Sequence, residues 1–432
     1  MIVTAALGAA GLAAALSGSS AGAQPSQSTL VCDFGTVNPV DGAREFALET
    51  RDGYIQTPDG NTVYMWGYAK AGGAFQAPGP TLCADQGDTV RVTLTNPADD
   101  PTLGPTTLTG GIPAATTSIV FPGQSGVTAT GGQPGLLTNE ITQSPLGGPA
   151  DTVTYEFVAA QPGTYLYQSG SDPAVQIQMG LYGGLVIYPT EGRNFVYAGK
   201  EFDTRFEYLL LFHEVDPDLH AVVELEGDVA NYDPTARHNR YWTINGRAMP
   251  DTVAPNFAPT LPSQPYSSLV EVQALDPADT TTPPALVRYG TAGLDNHPFH
   301  PHGNHLRLVG QDGRPLPDEI EAYTKTVAAG QTFELLAEWR DVEAWQGTGA
   351  PEAVNIPVLD NLVFKDGVTW YSGDEDLGQQ QLLPNNVTSF SECGEYYFPW
   401  HSHALDSNQN FDEAFGGMLT LWRVDPPGGC PA

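Results

Sequence analysis

The chain has 432 residues, 41% of them hydrophobic and 10% aromatic, which is enough for two ordinary domains with packed cores and excludes a disordered polymer. Fifty acidic against seventeen basic residues give a formal charge of -33, so nucleic acid and anionic membrane surfaces are poor partners. With 48 glycines and 37 prolines punctuating short Val/Ile/Tyr/Phe runs, the composition predicts an all-β protein built of sandwiches.

In chain order, Met1 to Ala23 is rich in Ala, Gly and Leu and carries no charge. It ends in Ala21-Gly-Ala23, the small-x-small pattern of a secretory cleavage site, so residues 1–23 read as a secretion signal. The stretch is too short and too interrupted for a membrane span, and no other segment approaches about 18 continuous apolar residues. The mature protein is therefore expected to be secreted and soluble outside the cytoplasm. Cys32, Cys83, Cys393 and Cys430 fit an oxidising compartment as two disulfides. Three pairings are open. Cys32 with Cys83 and Cys393 with Cys430 is preferred, because each closes a loop within one domain, and a link between an N-terminal and a C-terminal cysteine stays as the alternative.

Strand patterns follow at Tyr54 to Gln56, Thr62 to Tyr68, Thr89 to Thr95, Val153 to Phe157, Thr164 to Tyr167 and Leu181 to Tyr188. They define a Greek-key domain over 24–192. Between Pro97 and Pro149 a Gly/Pro/Thr-rich stretch lacks periodicity and reads as an elaborated or functional loop. A second unit over 193–432 opens with Arg205 to Glu214 and a charged segment, Asp228 to Arg240. Its further strands are Tyr241 to Asn245, Leu269 to Ala274, Ala285 to Tyr289, His305 to Gly310, Thr332 to Trp339, Glu395 to Trp400 and Gly417 to Val424. Gln311-Asp-Gly313 makes a hairpin turn, and Asp341 to Ser391 reads as loop with one short strand at Ile356 to Phe364. The two halves are alike in kind, a weak internal repeat.

Six of the nine histidines fall in two short segments, His297-Pro-Phe-His300-Pro-His302-Gly-Asn-His305 and Trp400-His401-Ser402-His403. Side chains two apart on a strand share a face, so His300 with His302, and His401 with His403, can each present two imidazoles in one direction. Neutral imidazole suits copper, zinc, iron and nickel, and four converging rings make a metal site. The competing reading makes each pair hydrogen-bonded structural filler. His305, three past His302, is a substitute ligand or a donor to a ligand. His213, His220 and His238 share no face and are expected at the surface. Asp406, Asp412 and Glu413 form an acidic lip or belong to the general acidic background. After the 1–23 stretch no Gly-x-Ser-x-Gly hydrolase elbow occurs, and there is no P-loop pattern.

The first histidine segment resembles the third copper motif of the multicopper oxidases, His-Pro-x-His-x-His-Gly. The second resembles the fourth, His-Cys-His with a later histidine and methionine. Pro78-Gly79-Pro80 through Asn96 is similar to the family's opening strand pair. Gly163 to Tyr167 and Gly180 to Ile187 resemble the strands around its second copper motif. The resemblance covers nearly all of the mature chain and implies two cupredoxin-like Greek-key β-sandwiches, copper as cofactor and oxidoreductase descent. It is nearest the two-domain branch and the copper nitrite reductases, whose homotrimers place a copper cluster between domain one of one subunit and domain two of the next.

The same resemblance exposes gaps. The thiolate of the blue copper site is replaced by Ser402, a hard and poor ligand for copper. His297 matches that site's first histidine and Met418 its axial methionine, but Ala404 to Asn410 holds no second histidine. Both His297 and Met418 are expected to be packing residues before ligands. His300, His302, His401 and His403 match the four cluster ligands of domain two. Domain one should supply four more, yet no histidine precedes His213; its motif positions read Thr106-Thr-Leu-Thr-Gly110-Gly-Ile-Pro113 and Gln168-Ser169-Gly170. Oxygens of Gln168, Asp172 or Gln176 are candidate replacements. Three readings follow: an oxidoreductase with a reduced copper centre and a small-molecule reductant, a secreted copper-sequestering protein, and an interaction module with relic motifs. Copper is the first metal and zinc the second.

Overall fold

A computed structural model of the chain describes residues 28–98, 116–145, 148–226, 232–275, 279–340, 396–411, 413–414 and 416–425. The expected strand at 356–364, the Thr106 to Pro113 position, the 1–23 segment and the Cys393 and Cys430 pair lie outside them. Cys32 and Cys83 are joined by a disulfide, as preferred from loop closure. Among the described residues no helix is long and apolar enough to cross a membrane.

Alternation builds the first half. Along Thr89–Thr95 the inward positions are Val90, Val92 and Leu94, and along Thr152–Val158 they are Val153, Tyr155 and Phe157. The two strands pair antiparallel with Val92 opposite Tyr155, so both apolar sets point into one core. Arg44–Gln56 lies parallel on the other side of Thr89–Thr95 and carries Thr62–Lys70. A smaller sheet of Gly163–Gln168, Tyr182–Tyr188 and Leu82–Asp85 closes the layer, bringing Tyr165, Tyr167, Leu185 and Ile187 into the same core. Each large apolar side chain fully buried this way contributes roughly 1.5–3 kcal/mol.

The second half consists of two six-stranded sheets. One runs Tyr241–Ile244, Glu207–Val215, Ala285–Thr291, Thr332–Ala337, Leu306–Gln311, Arg314–Ala322. The other runs Lys325–Val327, His297–Pro301, Tyr396–Ser402, Leu419–Asp425, Val270–Leu275, Trp339–Arg340. Between Leu306–Gln311 and Arg314–Ala322, Asp312 and Gly313 turn with φ of 51° and 69°, the backbone of a two-residue hairpin whose twist matches its strands. A Cβ at Gly313 would sit 2.0 Å from the Tyr165 hydroxyl, so the turn also needs glycine for the contact between halves.

Strands that are buried at every position mark where the halves meet: Tyr182–Tyr188, Glu207–Val215 and Ala285–Thr291. Val186 and Tyr188 pack with Leu286, Val309 and Leu336, and Tyr182 with Leu209 and Leu211. Within this apolar seam Arg288 is 1% exposed, paired with Glu207 at 2.7 Å and donating to the Thr164 hydroxyl at 3.0 Å. Replacing Arg288 with alanine strands the Glu207 carboxylate in the seam, so the variant is expected to lose about 3–5 kcal/mol, read as a lower denaturant midpoint.

The helix Pro217–Glu226 has no counterpart in the strand reading of the sequence. Asp216 accepts from the N–H groups of Asp218 and Leu219, and Pro217 follows it directly, the ordinary signal of a capped helix start. Leu219 and Val223 bury one face in the core of the first half.

Candidate metal centre

His297–Pro301 and Tyr396–Ser402 pair antiparallel, with Phe299 opposite Ser402, His300 opposite His401 and Pro301 opposite Trp400. The ladder continues past both ends, since His302 N–H donates to Pro399 O at 2.9 Å and His403 N–H to Pro298 O at 2.6 Å. Strand alternation then divides the two motifs between two faces. His300, His302, His401 and His403 lie on one face, His300 and His401 half-buried and His403 exposed. His297, Phe299, Trp400 and Ser402 point the other way and are fully buried.

On the histidine face the ring centroids of His300 lie 5.0 Å from His302, 5.6 Å from His401 and 5.0 Å from His403. Nitrogens of His300, His302 and His401 all come within 4.8 Å of one another. His403 adjoins this set and stays outside it. His302 Nε2 and His401 Nε2 are 3.0 Å apart. Two nitrogens each about 2.0 Å from one ion, at 90–110° around it, would be roughly 2.8–3.3 Å apart, so this pair has the spacing of two ligands.

The other ring nitrogens are held by protein. His300 Nδ1 meets Thr324 Oγ1 at 2.7 Å, and His401 Nδ1 meets Ser402 O at 2.8 Å and the Asn408 amide at 2.9 Å. Such outer contacts orient an imidazole and fix which of its nitrogens faces the cluster. Burial, followed by the neighbouring charges of His401, His300 and His403, pushes His302 down to about 4. Burial also lowers His300 and His401. The cluster therefore stays neutral at physiological pH, with lone pairs available to a cation.

The remaining candidates fall elsewhere. His305 stacks on Tyr323, ring centroids 3.6 Å apart, and does not join the three converging nitrogens. His297 is buried with Nε2 3.4 Å from Glu214 Oε2, and Met418 is buried in the same core cluster as Phe299 and Trp400. Ser402 N–H donates to Met418 O, while Ser402 Oγ and His297 Nδ1 have no partner among the described residues. Asp406 is exposed; Asp412 and the Glu413 side chain lie outside the described residues.

The surface placement expected for His213 and His220 is wrong, and only His238 is exposed. His213 is fully buried, stacked on Tyr182 with ring centroids 4.7 Å apart and bonded through Nε2 to Ile177 O. His220 sits on the inner face of the helix, its two ring nitrogens facing Tyr64 O and Gln178 O. Burial lowers both, His220 to about 4. These histidines fasten the second half to the first through contacts distant in sequence.

In the first half, Gln176 does not serve as a free oxygen ligand. Its Oε1 accepts from Ser169 and Thr117 at 2.7 and 3.1 Å, and its Nε2 donates to Thr116 O at 2.7 Å. Asp172 is exposed on a left-handed residue with φ 43°, and Gln168 keeps a buried Oε1 without a partner.

No family model matches the chain, and no curated protein does either. Solved structures do match. A blue copper oxidase from Nitrosomonas europaea superposes with a TM-score of 0.54 at 17% identity, covering 88% of this chain and 85% of that one. The multicopper oxidase mgLAC gives 0.55 at 17% identity, covering 90% and 87%. Copper nitrite reductase from Nitrosomonas europaea gives 0.51 at 16% identity, covering 88% and 94%. The chain has a multicopper-oxidase-like cupredoxin fold. On this cupredoxin framework the outward face gathers imidazoles, and the inward face at Ser402 offers a hydroxyl that stays protonated at neutral pH. The outward residues fit a copper or similar cation; the inward ones, with no thiolate, do not fit a blue copper ion.

Proposed function

We propose that the protein is an extracytoplasmic copper-binding protein of multicopper-oxidase descent, holding one metal ion per chain through His300, His302 and His401 with His403 beside them. The 3.0 Å approach of His302 Nε2 to His401 Nε2, within a set of three converging nitrogens, is the observation that carries this reading. Copper is favoured over zinc because the structural neighbours are copper proteins and because imidazole sites bind divalent copper more tightly. The Cys32 to Cys83 disulfide supports an oxidising compartment and, with it, the secretion signal over 1–23.

Copper, when bound, supplies one-electron chemistry. The chain's own contribution is to hold three neutral imidazoles, with Thr324 and Ser402 O fixing two rings from behind. Oxygen reduction in the manner of the large oxidases is expected to be weak or absent. Ser402 cannot act as the thiolate of an electron-input site, and Gln176 is engaged within its own hydrogen-bond network. That network favours the second reading, sequestration or carriage of copper without turnover. A homotrimer would set the first half of another copy against the histidine face, and light scattering would give three chain masses for it.

Metal analysis of protein purified without chelator tests the proposal. About one copper per chain, with phenol oxidation well below ~1 per second, is the expected result. Protein that neither carries nor takes up copper would reduce the motifs to relics, and oxidation at enzyme-like rates would overturn the sequestration reading.

A further inference from the structure

Three polar contacts meet at His401, and they do not all agree. Its Nδ1 lies 2.8 Å from the Ser402 carbonyl oxygen and 2.9 Å from Asn408 Nδ2, while its Nε2 lies 3.0 Å from His302 Nε2. Asn408 is 5% exposed, and its Oδ1 is buried with no partner among the described residues. A carbonyl oxygen only accepts, so Ser402 O is satisfied when Nδ1 carries the proton. An amide nitrogen only donates, so Asn408 in this orientation is satisfied when Nδ1 offers a lone pair. One neutral ring cannot do both.

Each tautomer satisfies a different part of these contacts. With the proton on Nε2, His401 donates to His302 Nε2 and accepts from the Asn408 amide; both Nε2 atoms are then tied up between the two rings. With the proton on Nδ1, His401 donates to Ser402 O, and half a turn of the Asn408 amide brings its unpartnered Oδ1 onto the same N–H. The two Nε2 lone pairs then face one point 3.0 Å apart.

We infer that Asn408 is a positioning residue that sets the tautomer of His401: its amide nitrogen toward Nδ1 closes the histidine face, and its amide oxygen toward Nδ1 opens it to a cation. The consequence for metal rests on the copper-binding reading of His300, His302 and His401; the tautomer assignment does not. As an ion enters, the proton lost from Nε2 is matched by one gained at Nδ1, so His401 itself releases none, and the Asn408 amide turns over. A local hydrogen bond from the turn Leu405–Asn408 is thereby coupled to occupancy of the site.

Asn408→Asp presents only oxygens to Nδ1, and Asn408→Leu presents no polar atom. Nitrogen-15 NMR of the imidazoles in metal-free protein, at a pH where the rings are neutral, reads the tautomer directly. The Asp variant is expected to shift His401 to the Nδ1–H form relative to the parent. Copper titration of the same proteins is expected to give tighter binding in Asn408→Asp and binding about tenfold weaker in Asn408→Leu, whose imidazole loses its anchor. Should the Leu variant not fold, the near-isosteric Asp variant carries the test alone. An unchanged His401 tautomer in Asn408→Asp overturns the inference, as does parent-like copper affinity in both variants. A tautomer shift in a protein that binds no copper would instead remove the copper-binding reading and leave the assignment of Asn408 standing.

Discussion

Copper at one hundred times its dissociation constant is expected to stabilise the parent by about 2.7 kcal/mol, and a variant with His302→Ala and His401→Ala together is expected to show no such shift. The expectation rests on linkage: an ion that binds the folded face and has weaker sites on the unfolded chain raises stability by mass action. His302 and His401 supply the closest pair of nitrogens in the cluster, so removing both leaves His300 alone of the three converging histidines. Their side chains lie on the outward face, apart from the core formed by Phe299, Trp400 and Trp422. The metal-free variant should therefore melt close to the metal-free parent. Scanning calorimetry with and without copper separates the two effects. A copper-dependent rise that survives in the double variant would place the ion elsewhere.

Glu214→Ala is expected to cost about 1–3 kcal/mol at neutral pH, the penalty for leaving the Leu294 and Asp295 N–H groups without the carboxylate that accepts from them. Glu214 is fully buried, accepts from the backbone N–H groups of Leu294 and Asp295, and faces His297 Nε2 at 3.4 Å. Burial alone would raise its carboxyl, but the His297 contact, with the Leu294 N–H, outweighs burial and holds it at about 2. The ordinary value of 4.5 applies in the unfolded chain. Between these values the unfolded state binds the extra proton, so the stabilisation from ionised Glu214 is complete above 4.5 and is lost as pH falls toward 2. The gap in stability between parent and Glu214→Ala should accordingly narrow between about pH 5 and about pH 2, measured by denaturant unfolding. A gap independent of pH would show that the carboxylate charge is not what holds this seam.

The histidine face was legible because strand alternation is local: spacing of two residues in both segments fixed which side chains share a side, and pairing of His300 with His401 brought the sides together. The Asp312-Gly313 turn and the Cys32 to Cys83 link were legible for the same reason, one from turn chemistry and the other from loop closure. What escaped depends on contacts distant in sequence. His213 is buried against Tyr182 and Ile177 on a strand, and His220 by the docking of Pro217–Glu226 on the first half, contacts that neither residue's sequence neighbours specify. Asp216 followed by Pro217 was the available signal for that helix. Glu214 as the partner of His297 spans 83 positions, and Asn408 behind His401 carries no motif at all. Convergence of three histidines with the fourth alongside is likewise a matter of ring orientation, which spacing does not determine.

The central claim is that an imidazole cluster without a thiolate holds the copper. Electron paramagnetic resonance of protein loaded with one equivalent of Cu(II), recorded alongside its visible spectrum, tests it most directly. Nitrogen coupling from the imidazoles of His300, His302 and His401 is expected, lost in the double alanine variant, with no intense blue absorption because Ser402 replaces the sulfur. An intense blue band, or nitrogen coupling unchanged when His302 and His401 are both replaced, would contradict it.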